Sequence, residues 1–175
     1  MPREVLEFRV IVASPADQFQ NRKIVFDVIE ELNRIFEVQS ISVRGLGWEQ
    51  YVAPGIDTDV QSVVNQQLLR EYDILIALFG TRLGSPTPRA ASGTVEEIEQ
   101  AISNPNKGMG QNRLQIYFCD KLESVSGIDV DELKKVFEFR NKLKSMGVLY
   151  NLFKDDEDLQ KTARINLQRS IHLRA

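Results

Sequence analysis

Residues 92–101 read SGTVEEIEQA, and they set three glutamates, Glu96, Glu97 and Glu99, in the opening turns of a helix directly behind Gly93 and Thr94. A carboxylate in the first turn meets the positive end of the helix dipole and is held ionised. An ionised carboxylate is a poor general acid. It suits a nucleophile, or an anion that stabilises positive charge developing on a sugar. Cleavage of a glycosidic bond passes through such an oxocarbenium-like state.

The helical period, about 100° per residue, sorts the three. Val95, Ile98 and Ile102 face inward, and Glu96 and Gln100 point outward. Glu97 and Glu99 fall on the two borders. Glu97 comes earlier and so lies closer to the strand ends, which makes it the candidate catalytic residue. A structural role competes with this: Thr94-x-x-Glu97 has the form of a capping box. The two roles are compatible, because a capping glutamate can also border a pocket.

The elements that must position these residues alternate strand and helix. Strand patterns occupy 6–13, 38–45, 73–79, 113–119 and 148–153. Helical patterns occupy 19–36, 60–72, about 94–103, 130–146 and roughly 156–172. The apolar positions 24, 25, 28, 29, 32, 35 and 36 give the first helix its face. The nearly continuous apolar run DILIALF at 73–79 suits a central parallel strand covered on both sides. Right-handed crossovers then give an α/β three-layer sandwich, flavodoxin-like, with a five-stranded parallel sheet. The expected strand order is 2-1-3-4-5. Residues 1–175 are expected to form one domain, which can be the N-terminal part of a larger protein.

Ligands of such sheets sit beyond the carboxyl ends of the strands. In the first loop, ASPADQ, Ser14 is expected to cap a helix starting at Pro15, with Asp17 at its third position. A helix start beside a strand end can hold an anion. The second loop carries Trp48, which either stacks on a base or packs as a core aromatic, and Glu49, a weaker second carboxylate. The third loop, GTRLGSPTPRAAS, has glycines at 80 and 84 that permit tight backbone paths. Its Arg82 and Arg89 can meet a phosphate through paired hydrogen bonds, Arg82 being nearer the strand end. Cys119 and Asp120 end the fourth strand. Cys119 reads as a small buried hydrophobe, and His172 as a helix-end surface residue.

Composition narrows the classes. With 22 basic and 25 acidic residues the formal charge is −3, and the basic residues are spread along the chain, so no nucleic-acid footprint is expected. One cysteine excludes an internal disulfide. No apolar run approaches about 18 residues, so no membrane partner is expected, and the start of the chain lacks a signal-peptide pattern. A cytoplasmic location is the default. A sole histidine near the end argues against a His-rich metal site or a Ser-His-Asp triad. No resident cofactor or metal is expected. No glycine-rich dinucleotide fingerprint or Walker A motif is present.

The chain resembles the effector-associated DUF4062 domain. The likeness rests on VIVASPAD (10–17), NRKIVFDVIEELN (21–33), LGWEQY (46–51), the run from Asp59 to Thr87, SGTVEEIEQA (92–101) and IYFC (116–119). That family is similar to TIR domains and to nucleoside 2-deoxyribosyltransferases. The transferase signature matches Gly93, Thr94, Glu97 and Ala101, with Glu99 where a glycine would stand and Ser92 in a region where an aspartate is usual. The spacing of Glu97 and Ala101 matches TIR enzymes that hydrolyse NAD. Both likenesses select Glu97.

Three readings follow. In the first, the protein is a nucleotide N-glycosidase acting on NAD as substrate, whose pyridinium leaving group needs little protonation. Glu97 would stabilise the ribosyl cation, with Ser14, Asp17, Trp48, Arg82, Ser92 and Thr94 around the substrate. In the second, it is a non-enzymatic TIR-like signalling domain that self-associates or pairs with effector or NTPase domains, in defence for instance. In the third, it is a nucleoside deoxyribosyltransferase.

Overall fold

The computed structural model describes residues 2–47, 72–103, 113–121 and 123–175. The helix expected at 60–72, apart from Tyr72, which is not helical, and the expectations for Trp48 and Glu49 lie outside the described residues. The elements run β1 (Leu6–Ala13), α1 (Phe19–Phe36), β2 (Ile41–Leu46), β3 (Ile74–Phe79), α2 (Gly93–Ser103), β4 (Leu114–Cys119), α3 (Val130–Ser145), β5 (Asn151–Phe153) and α4 (Asp156–His172). The five strands form one parallel sheet in the order β2-β1-β3-β4-β5, with helices against both faces. This is the flavodoxin-like arrangement expected from the alternating pattern.

Strand parity explains the two cores. All six residues of β3 are buried. Ile74, Ile76 and Leu78 turn to the face covered by α1 and α4, where Val25, Val28, Ile29 and Leu32 meet Leu159, Ala163 and Leu167. Leu75, Ala77 and Phe79 turn to the face covered by α2 and α3, against Val95, Ile98, Phe139 and Leu143. Phe79 stacks on Phe118 at 5.2 Å and meets Phe139 edge-on at 5.5 Å. Such ring pairs add about 0.5–1.5 kcal/mol each beyond the area they bury.

Two strands start later than the sequence pattern suggests. Between α1 and β2 the chain tightens into a 3-10 turn, Glu37–Gln39, and Ser40 takes a left-handed conformation with φ 57°. Those residues are spent on turning, so β2 begins at Ile41. Before β5, Val148 still gives its N–H to Leu143 O at 2.9 Å, closing α3, and the strand begins only at Asn151. The starts of α3 and α4 are capped by aspartates. The carboxylate of Asp129 accepts from the N–H groups of Asp131 and Glu132, and that of Asp155 from Asp158. No helix among the described residues is long and apolar enough to cross a membrane.

Candidate functional site

From β1 the chain crosses outward to β2, while from β3 it proceeds the other way to β4 and β5. The carboxyl ends of β1 and β3 therefore form the topological switch point, where open α/β sheets hold their ligands. Three segments converge there: the loop after β1, the loop after β3 and the start of α2.

Two glycines allow the convergence. A β-carbon on Gly80 would lie 2.1 Å from Gln18 Nε2 and 3.2 Å from Asp17 Oδ2. One on Gly84 would lie 3.3 Å from Ser92 Cβ and 3.4 Å from Pro15 Cβ, and Gly84 also has a positive φ of 104°. The close approach at Gly80 and the left-handed backbone at Gly84 both favour glycine.

The loop after β1 differs from its expected form. Ser14 does not cap a helix. A 3-10 turn, Ala16–Gln18, leads into α1, Pro15 occupies its cap position, and no side chain bonds to the turn. Pro15 has ψ 160° and lacks a side-chain acceptor, so the cap geometry passes Ser14 by. The Ser14 hydroxyl oxygen is buried and has no hydrogen-bond partner. Asp17 is exposed and Gln18 is buried. Gln18 Nε2 donates to Asp17 Oδ2 at 3.1 Å, and Asn21 Nδ2 donates to Gln18 Oε1 at 2.6 Å. Sequence reasoning missed Gln18. Its signal was its place just past a strand end, which a polar surface residue shares.

The start of α2 also corrects the sequence reading. The helix begins at Gly93, and its cap is Ser92, whose Oγ accepts from the Val95 N–H at 3.2 Å while Ser92 O accepts from Glu96 N at 2.9 Å. The capping box built on Thr94 and Glu97 is not formed at those positions, because the helix starts one residue before Thr94. Thr94 lies within the first turn and is buried.

Glu96 does not point to solvent. It is 3% exposed, covered by the loop after β3. Thr87 Oγ1 donates to Glu96 Oε2 at 2.7 Å, and Arg89 Nε forms a charged hydrogen bond to Glu96 Oε1. Thr87 Oγ1 in turn accepts from the N–H groups of Arg89 and Ala90. The helical period places Glu96 outward, but the folded-back loop covers it there. Arg89, itself exposed, is thereby committed to an ion pair with the buried Glu96; Arg82 is also exposed on this loop.

The same loop is tied to α3. The carboxylate of Glu132 accepts from Leu83 N at 3.2 Å and from the Gly84 N–H, and Lys135 Nζ donates to it at 2.7 Å. The lysine bond is the largest influence and holds the Glu132 carboxyl below the usual glutamate range; desolvation opposes it, and the Leu83 and Gly84 N–H groups add smaller contributions in the lysine's direction.

Glu97 is 8% exposed, so the carboxylate is enclosed rather than turned outward. It lies within electrostatic reach of the Tyr72 hydroxyl. Burial pushes that hydroxyl's pKa up; Arg113 lowers it and Glu97 raises it again. The Arg113 guanidinium stands 4.2 Å over the Tyr72 ring and donates to Tyr72 O at 3.2 Å. Glu99 is half-buried and pairs with Lys142 of α3 at 2.7 Å. Thus the adjacent glutamates serve different surroundings: Glu96 the loop, Glu97 the side near Tyr72, and Glu99 the contact with α3.

Cys119 is half-buried against the α1–α4 core, and desolvation pushes its thiol pKa up. Asp120 is exposed beyond it. His172 is exposed at the end of α4, edge-on to Phe36 at 5.1 Å. Among the described residues no group of three or more His, Cys, Asp or Glu side chains has the arrangement of a metal site. No family model matches the chain, and no curated protein matches it.

Proposed function

We propose that the protein is a nucleotide N-glycosidase of the NAD-hydrolysing kind, with Glu97 as the carboxylate that stabilises the ribosyl cation. The observation that carries this reading is the burial of Glu97, at 8% exposure, on the opening turns of a helix whose cap, Ser92, packs at the β1–β3 switch point. A carboxylate near the switch point of an open α/β sheet stands where such sheets hold their ligands. The helix dipole favours the ionised form, the form that opposes positive charge at C1 of the sugar. Water attacks C1 as the bond to the pyridinium nitrogen breaks, and the electron pair of that bond returns to the ring and leaves neutral nicotinamide. Arg82, exposed on the loop after β3, is the residue assigned here to a phosphate. The resemblance to TIR and deoxyribosyltransferase domains supports the same residue.

The test is nicotinamide release from NAD by concentrated protein beside the Glu97→Gln variant. Release by the first and its loss in the second support the reading. A folded wild-type protein that releases none, concentrated or assembled, rejects it.

A second reading, self-association in signalling, is supported by apolar side chains at the β5 edge. Leu149 is 90% exposed and Leu152 44%, beside Tyr150 and the exposed Phe137, with Arg140 lying over both rings. This reading is compatible with the first, since assembly and cleavage use different surfaces.

A further inference from the structure

We propose that Asp17 and Gln18, laid over Gly80, recognise the vicinal hydroxyls of a ribosyl unit, so that this side of the crevice reads sugar rather than phosphate. The inference deepens the nucleotide reading above and rests on it for the identity of the sugar.

The amide of Gln18 is fixed in orientation by two bonds, to Asp17 on one end and from Asn21 on the other. It is 6% exposed and presses on Gly80 so closely that a β-carbon there would overlap its nitrogen at 2.1 Å. A primary amide has two N–H donors and a carboxylate about four acceptor positions. One N–H and one carbonyl lone pair of Gln18, and most of the acceptor capacity of Asp17, remain after these bonds. A donor beside a carboxylate is the pattern that two neighbouring hydroxyls satisfy, because each hydroxyl both donates and accepts. Bonds from a hydroxyl to a carboxylate are also short and charge-assisted.

A phosphate fits this place poorly. The turn at Ala16–Gln18 is three residues long and carries no cap, and the negative charge of Asp17 stands where an anion would dock.

The test compares adenosine and uridine with their 2′-deoxy and 3′-deoxy forms, and with AMP, by saturation-transfer NMR and calorimetry on the intact protein. Removing either hydroxyl should weaken binding about tenfold or more, since a site built for a hydroxyl is left unpaired without it. Any gain of AMP over adenosine should come through Arg82 and be unchanged by Asp17→Asn. Asp17→Asn, at an exposed position, should weaken the ribose forms most and so narrow their advantage over the deoxy forms. Gly80→Ala, which displaces Gln18, should do the same. Equal binding of ribose and deoxy forms overturns the proposal. So does tighter binding of AMP that Asp17→Asn strengthens, or no binding by any probe. If NAD yields no nicotinamide but the hydroxyl preference persists, the glycosidase reading fails and the sugar site stands. If NAD is cleaved with no preference, the reverse holds.

Discussion

Glu96 and Glu97 are neighbours in sequence and both are buried, in different surroundings. Glu96 is satisfied inside the protein by Thr87 and Arg89, so its charge holds a loop. Removing that charge should be felt as stability. Glu96→Gln is expected to lower the unfolding free energy by about 1.5–3 kcal/mol, the range for hydrogen bonds to charged groups, read from the urea midpoint. Glu97→Gln is expected to abolish nicotinamide release while the protein remains folded. A pH dependence belongs to Glu132. Its carboxyl titrates below the ordinary glutamate range because Lys135 and the N–H groups of Leu83 and Gly84 favour its charged form. Its stabilising contribution is therefore complete above the ordinary glutamate pKa and disappears as pH falls through the depressed value. Wild type should exceed Glu132→Gln in stability at neutral pH, and the two urea midpoints should converge in acid.

At the scale of elements, the sequence revealed more of the framework than of the connections. The boundaries of β1 and α1 follow directly from apolar spacing, because each element buries one face against a fixed neighbour. Within α1, however, Ile35 carries the same signal as Leu32 and remains 48% exposed. Periodicity reports which residues can face a core, not how far the core extends. The start of α2 shows a different limit. Ser92 and Thr94 are both good cap residues, and the choice between them depends on where Gly84 and Pro15 fix the incoming chain. Contacts distant in sequence decide that. Likewise the helical period had no means of showing the loop 80–92 fold back onto Glu96. Two substitutions probe these junctions. Ser92→Ala should cost about 1 kcal/mol through loss of the cap. Gly84→Ala should cost more than about 1 kcal/mol, because its backbone has φ 104° and Ser92 and Pro15 already crowd the site. Thermal or urea unfolding reads both.

For the whole molecule, the parallel order β2-β1-β3-β4-β5 makes one location special, and the candidate residues divide around it. Asp17, Gln18, Gly80 and Ser92 belong to segments that meet at the switch point, and Glu97 follows Ser92 by five residues, about 7.5 Å along the helix axis. Glu97 was legible beforehand because its residue type and its place at a helix start are local signals. The amide of Gln18 was not, because its significance comes from Gly80, which is 62 positions away (80 − 18). The opposite edge of the sheet bears on assembly. Leu149→Lys with Leu152→Lys should reduce self-association in sedimentation velocity at high concentration and leave the fold intact, since both side chains are exposed. Unchanged association would remove the β5 edge from that role.

The most direct measurement is the rate of nicotinamide release from NAD by wild-type protein and by Glu97→Gln, with circular dichroism showing both folded. The account predicts release by the wild type and a loss of at least about a hundredfold in the variant, the scale of removing one preorganised electrostatic group. Equal rates in the two proteins, or no release by the wild type at any concentration, would contradict it.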